Sequence, residues 1–200
     1  MPSIAAILLA AGGSTRLGRR KQLLAWQGRS LLRQAAEAAV EAGCSPTVVV
    51  LGCEAERMVP ELAGLPVIAS VNIDWRRGIG TSIKHGAARL LALSPMVDAT
   101  LILLSDQPLV NAQTLRRLID EYTRSAKSIC VSAYANTIGP PVVVGRPGFP
   151  QLLALPDSQG AKAIWSKCPL AIARYQCDEA AMDVDTPGDY AKLESRPQLL

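Results

Sequence analysis

Three aspartates and two cations offer the chemistry of this sequence. Asp106 stands in Leu103-Leu104-Ser105-Asp106-Gln107-Pro108, and Asp183 and Asp185 stand in Asp183-Val184-Asp185-Thr186-Pro187. Arg16 and Lys21 belong to Leu9-Ala10-Ala11-Gly12-Gly13-Ser14-Thr15-Arg16-Leu17-Gly18-Arg19-Arg20-Lys21. Carboxylate oxygens are hard ligands that grip Mg²⁺ against phosphate oxygens, and the ion needs few of them. In an extended segment residues i and i+2 point to one face, so Asp183 and Asp185 share a side with Val184 opposite. Two such carboxylates repel unless a cation sits between them or one is protonated. Plainer roles stand beside these: Asp106 as a turn residue, and Asp185 as the cap of a helix that Thr186-Pro187 opens, since proline favours the first helical position.

The glycine stretch follows Ile4-Ala5-Ala6-Ile7-Leu8-Leu9, an uncharged run that reads as a strand buried on both faces. Open α/β sheets place ligands at the carboxyl ends of such strands. Glycines let the backbone approach an anion closely, and Arg16 and Lys21 add charge. The stretch from Leu9 through Ala10, Ala11, Gly12, Gly13 and Ser14 therefore reads as a phosphate cradle. It is neither a Walker A loop, because Arg19-Arg20 follow Gly18, nor a G-x-G-x-x-G turn. An ordinary βα turn with solvated cations is the competing reading. Asn72-x5-Gly78-Ile79-Gly80-Thr81-Ser82 offers a second constellation, in which Gly80-Thr81-Ser82 opens a helix whose first N–H groups attract anions or carbonyl oxygens. A simple N-cap at Thr81 or Ser82 fits the same spacing.

Elements to position these residues follow in order. Ser30 caps a helix ending near Gly43; strands read at Thr47–Leu51, Val67–Val71, Ala99–Leu104 and Ile129–Ala133, with helices at Glu54–Leu62, Thr81–Leu93 and Asn111 to about Ser125. This βαβα rhythm predicts a single-domain, Rossmann-like three-layer α/β/α fold with a mostly parallel sheet. After Tyr134 the rhythm breaks. Val142–Gly145, Leu170–Gln176 and Ala181–Val184 read as strands around a helical insert, Phe149–Leu155 and Gly160–Lys167, which predicts an antiparallel strand in the C-terminal half. Residues 1–194 form the expected domain and 195–200 a frayed tail.

Composition narrows the class. The 200 residues carry a net charge of +4, 49% hydrophobic and only 4% aromatic residues, so the core is aliphatic and nucleic acid is not the expected partner. Five cysteines lack any C-x-x-C spacing, which points to a reducing cytoplasm rather than a disulfide framework or zinc site. No apolar stretch approaches the ~20 residues of a membrane span. The first apolar run is only about eight residues long and has no basic residue before it, which disfavours a secretory leader. His85, the single histidine, reads as a surface residue.

Together these motifs resemble the MobA-like nucleotidyltransferases, in particular the molybdenum cofactor cytidylyltransferases. Leu9–Lys21 matches their Leu-Ala-Ala-Gly-x-Ser-x-Arg-x-Gly-x-x-Lys signature, and Asp106-Gln107-Pro108 and Asp183-Val184-Asp185-Thr186-Pro187 match their later motifs. The resemblance implies a nucleotide-diphospho-sugar transferase-like fold and transfer of CMP from CTP, with pyrophosphate release, to a phosphorylated pterin-type acceptor. It implies Arg16, Lys21 and Asp106 as catalytic residues and Mg²⁺ held by Asp106 with Asp185 and Asp183. It also places Asn72, Gly78, Gly80, Thr81 and Ser82 at the nucleobase and ribose, and a molybdoenzyme or its maturation chaperone as partner. Leu-Ala-Ala-Gly, rather than Leu-Ala-Gly-Gly, favours cytosine over guanine by that analogy. Gly139-Pro140-Pro141 departs from the Gly-His-Pro of these relatives. Asp157–Lys162 resembles their Gly-Asp-x-Gly-Ala-Arg turn, where a helix start near Gly160 would meet the acceptor's phosphate. A cytidylyl- or uridylyltransferase for a sugar or polyol phosphate, and a non-catalytic cofactor binder, are the rival readings.

Overall fold

A computed structural model describes residues 2–14, 17–165 and 172–196. Ile4–Ala10 (β1), the first uncharged run, is fully buried along its length. It is an interior strand of a seven-stranded sheet, with Thr47–Leu51 (β4) on one side and Ala99–Leu104 (β6) on the other, both parallel to it. Val67–Val71 (β5) adds a parallel edge strand to β4. Two-residue strands Ala25–Trp26 (β2) and Arg29–Ser30 (β3) form a separate small ribbon.

Side chains alternate along β1, as a strand with two buried faces requires. Ile4, Ala6, Leu8 and Ala10 join one apolar layer, where helices Leu31–Glu41 (α1), Ala55–Met58 (α2) and Ala112–Ser125 (α4) pack. Ala5, Ile7 and Leu9 join the other, under Ile79–Leu93 (α3), Phe149–Leu153 (α5) and Lys162–Trp165 (α6). The three-layer expectation holds. Ser30 and Asn111 cap α1 and α4 by accepting from Arg33 N–H and Thr114 N–H. The helix read over Glu54–Leu62 is instead α2 followed by a 3₁₀ turn, Val59–Leu62, into which Pro60 falls.

The C-terminal half is mixed, with one extension of the sequence reading and one correction. Ile129–Tyr134 (β7) pairs with Thr137–Gly145 (β8), which is also antiparallel to β6, and Ile172–Gln176 (β9) runs parallel to β7. β8 is longer than Val142–Gly145 because it continues through Gly139-Pro140-Pro141. Prolines have no N–H for the ladder, and the register skips between Val131 and Ser132 to pass them. Ser132 Oγ donates to Pro141 O there at 2.7 Å. Ala181–Val184 is not a ladder strand: Asp178–Ala181 is a 3₁₀ turn, and Met182–Asp185 runs without a sheet partner. The last helix is Pro187–Glu194 (α7); Ser195 and Arg196, read as the start of a tail, close its final turn through Ala191 O and Leu193 O. Residues 197–200, Cys168, and parts of the segments read over Gly160–Lys167 and Leu170–Gln176 lie outside the described residues.

Candidate active site

The loop after β1 is braced by protein donors that engage its carbonyls. Gln22, 1% exposed, donates from Nε2 to Ala10 O at 3.1 Å and to Gly12 O at 2.9 Å. Cys53 N–H donates to Ala11 O at 3.3 Å, and the Arg20 guanidinium donates to Gly13 O while pairing with Glu54. Ser14 Oγ donates to Gln22 Oε1 at 3.2 Å and accepts from Lys21 N–H at 3.1 Å. Four successive carbonyls are thus engaged by protein donors. A loop whose peptide dipoles have their negative ends occupied in this way is suited to face an anion. Arg16, expected at this loop, lies outside the described residues.

Lys21 reaches from the loop into the carboxylates. Its ammonium donates to Asp106 Oδ2 and, at 2.8 Å, to Asp185 Oδ1; the side chains of Lys21 and Asp106 are 16% and 14% exposed. Burial alone would favour the neutral amine, but the Asp106 and Asp185 carboxylates overcome it and hold the Lys21 pKa above the ordinary lysine value. Val184 N–H donates to Asp106 O at 2.9 Å, which fixes the late segment beside the end of β6. Val184 itself is buried with Leu17, Leu24, Leu31 and Leu193. Asp183 keeps part of its surface in water. Even so, loss of hydration in the crowded cleft, followed by repulsion from Asp106, pushes its carboxyl up to about 6. The capping alternative for Asp185 is filled by other groups: Thr186 Oγ1 accepts from Asp189 N–H at 3.2 Å, and Asp189 Oδ2 accepts from Thr186 N–H at 3.0 Å.

These donors fit a hard divalent cation. Asp106 Oδ1 is buried with no hydrogen-bond partner, an oxygen left over after Lys21 has taken the other. Among the described residues no three His, Cys, Asp or Glu side chains converge as a closed metal cage. A Mg²⁺-type site, which keeps waters and borrows phosphate oxygens, needs none.

The Asn72–Ser82 segment divides its members. Asn72, 3% exposed, donates from Nδ2 to Thr81 Oγ1 at 3.0 Å and Ser82 Oγ at 3.1 Å, and accepts from Asp74 N–H. Ser82, with Leu9–Gly12, Lys21 and Asp106, lines a cavity of about 220 Å³ at the carboxyl end of β1 and β6. Gly78 and Gly80 face elsewhere, against residues 156–159. A Cβ on Gly80 would lie 2.0 Å from Pro156 O, and one on Gly78 2.4 Å from Asp157 O. Gly80 N–H donates to Asp157 O at 2.8 Å, so the helix start does attract a carbonyl, but the protein supplies it. Asp157 also pairs with Lys84 and Arg77, each at 2.5 Å, latching this loop onto α3.

Polar residues that spacing did not single out complete the site. Gln107 donates to Pro140 O at 3.3 Å and Ala180 O at 3.0 Å, linking β6 to the position where a histidine was expected and to the late turn. Gln22 and Trp75 were equally unmarked, since a lone amide or indole has no periodic signal. His85 is half-buried and bonds Ser70 Oγ at 2.8 Å. Burial raises the Cys44 and Cys130 thiols to about 12, which leaves them as inert core groups.

An α/β fold that gathers a braced anion loop, a lysine and a carboxylate cluster at one sheet edge is that of a nucleotide-handling protein. The sequence carries the match that specifies it: residues 6–173 fit the MobA-like NTP transferase domain, and the chain belongs to this nucleotidyltransferase family. It is 30% identical to the nicotine blue oxidoreductase of Paenarthrobacter nicotinovorans, over 93% of this chain and 94% of that one. Its fold is shared with Rv0371c from Mycobacterium tuberculosis H37Rv (TM-score 0.82, 31% identity, 98% of both chains). A manganese complex of Rv0371c gives a TM-score of 0.76 at 29% identity, covering 96% of this chain and 98% of that one. No helix among the described residues is long and apolar enough to cross a membrane.

Proposed function

We propose that this nucleotidyltransferase moves CMP from CTP to the phosphate of a phosphorylated pterin, molybdenum-charged molybdopterin, and releases pyrophosphate. The observation that carries the reading is the Lys21 ammonium bridging Asp106 and Asp185 while Asp106 Oδ1 is buried without a partner. An acceptor phosphate oxygen attacks the α-phosphorus; the new P–O bond forms as the bond from the α-phosphorus to the α,β-bridging oxygen breaks, and pyrophosphate departs with that oxygen. Such transfers need charge neutralisation and alignment rather than a protein nucleophile.

In this reading the braced loop and Arg16 receive the triphosphate, and Lys21 turns from its carboxylates to the charge that develops on the phosphates. Asp106 and Asp185, with Asp183 beside them, would hold Mg²⁺, which supplies Lewis-acid neutralisation of the phosphate oxygens. The manganese complex of Rv0371c supports a divalent ion. Asn72, Thr81 and Ser82 set the base and ribose side, and Gly78 and Gly80 act indirectly by admitting the Asp157 loop. The product's user would be a molybdoenzyme or its maturation chaperone, in the cytoplasm.

Pyrophosphate release from CTP, GTP, ATP and UTP, with and without reduced molybdenum-charged pterin, tests the proposal. Release from CTP that depends on the pterin is expected; equal use of GTP would refute the cytidylyl assignment. Release with a sugar or polyol phosphate alone would favour that rival acceptor. The name of the Paenarthrobacter relative raises a second reading, an oxidoreductase. Consumption of a nicotinamide or flavin reductant without pyrophosphate release would establish it instead.

A further inference from the structure

Trp75 is the aromatic side chain among the described residues that line the 220 Å³ cavity, and neither the phosphate nor the carboxylate chemistry uses it. Its indole is seated on two glycines. A Cβ on Gly52 would lie 2.8 Å from Trp75 Cγ, and one on Gly13 would lie 3.2 and 3.3 Å from the far carbons of the six-membered ring. The Arg76 guanidinium stands 5.0 Å from the ring centroid, and Gly78 N–H donates to Trp75 O at 3.2 Å. The ring is thus held in one place while remaining only half-buried.

That place is a partition. On one side is the cavity that holds Lys21 and Asp106. On the other is a second cavity of about 550 Å³, bordered by Arg19, Arg20, Arg57 and Arg76. The polar groups at the end of β1 are partly spent, since the carbonyls of Ala10, Ala11 and Gly12 each already accept an internal hydrogen bond. A flat aromatic wall offers what they do not: contact with the π-face or edge of a heterocycle, which needs no hydrogen bond.

We propose that Trp75 is the base-contact residue of the nucleotide site, and that its indole is also the backstop that restricts the pocket to a one-ring base. This rests on the nucleotidyltransfer reading above. The base packs against the indole while its phosphates lie toward Lys21, so the ring supplies base affinity and none of the phosphate affinity. Removing the indole merges the two cavities and makes room for a two-ring base.

Calorimetric titration of wild type, Trp75→Phe and Trp75→Ala with CTP, GTP and inorganic tripolyphosphate, all with Mg²⁺, tests this. Tripolyphosphate carries the phosphates without a base, so its affinity should be the same for all three proteins. CTP should bind Trp75→Ala weaker by about tenfold or more, the scale of a lost base–aromatic contact, while Trp75→Phe stays near wild type. The CTP-to-GTP affinity ratio should fall toward one in Trp75→Ala. Unchanged CTP affinity in that variant would overturn the proposal and leave the nucleotidyltransfer reading standing. A parallel loss of tripolyphosphate affinity would overturn it too, by reducing the indole to a support for the loop. If wild type binds no nucleotide, both readings fail together. Should Trp75→Ala not fold, Trp75→Leu, apolar and without a π-face, takes its place under the same criteria.

Discussion

The two banks of the cleft are built differently. The early bank, residues 9–22, is a loop between regular elements whose carbonyls are fixed one after another by Gln22, Cys53 and Arg20. The late bank, residues 182–185, belongs to no strand or helix and is joined to the sheet end by the Val184 N–H to Asp106 O bond. Under the proposed function, rigidity on one side and a tethered segment on the other would let the phosphates be held in place while the late carboxylates adjust around a metal ion. The ion pairs of Lys21 with Asp106 and Asp185 join the banks.

Substitutions on either bank would break or sharpen that contrast. The largest effect is expected from Asp106→Asn, which keeps the shape and removes the charge: under the proposed function turnover should drop by roughly 10³ or more, since the variant loses the negative charge that would hold the metal ion. Asp185→Asn in the same assay weighs the late bank alone; wild-type activity there would make 182–185 mere scaffolding. Lys21→Ala should cost ~3–4 kcal/mol of transition-state stabilisation, or roughly 10²–10³ in rate. It also removes the cation that bridges Asp106 and Asp185, so under the proposed function its melting temperature should fall in chelator and recover when Mg²⁺ is added. A melting temperature indifferent to Mg²⁺ would mean that the cluster holds no metal.

Smaller effects concern supports. Gly80→Ala must push against Pro156 O, 2.0 Å from the new Cβ; an overpacking cost of about 1–3 kcal/mol is expected, read by denaturant titration. Asp183 gives the smallest effect and a definite sign. Its pKa of about 6 lies above the ordinary carboxylate value, so the folded protein binds more protons than the unfolded chain between those two values. Its contribution to stability therefore declines as pH rises from about 4 to about 6. Without metal, Asp183→Asn should be more stable than wild type at pH 7.5, by no more than about 1 kcal/mol after solvent screening, and indistinguishable near pH 3.5. Thermal melts at both pH values check it.

The sequence made the early bank more legible than the late one, for physical reasons. A buried strand followed by glycines and cations has local signals, and β1 stands where the uncharged run placed it. Gln22 escaped notice because burying one amide depends on carbonyls that only the folded loop presents. Met182–Asp185 has strand-like alternation, yet pairing needs a neighbouring edge, and here one hydrogen bond to Asp106 O replaces a ladder. Gly139-Pro140-Pro141 read as a break because prolines cannot donate, and the skipped register lets β8 pass through. Gly78 and Gly80 carried the right signal, close backbone approach, without saying that the approaching backbone is the chain's own residues 156–159.

The Val184–Asp106 bond has a consequence for how the enzyme is made. The central strands β1, β4 and β6 are all translated before residue 105, so their parallel pairing is available early. Of the two carboxylates that meet Lys21, Asp106 follows β6 directly, but Asp185 comes 164 positions after Lys21. A ribosome-bound chain can therefore hold the braced loop and Asp106 while the late bank, residues 182–185, is still unsynthesised. Competence arrives as a late, single event when the stretch around Asp185 docks and Thr186 starts α7. Under the proposed function a partial chain would lack Asp185, so enzymatic activity would report on completion of synthesis more sharply than any measure of secondary structure.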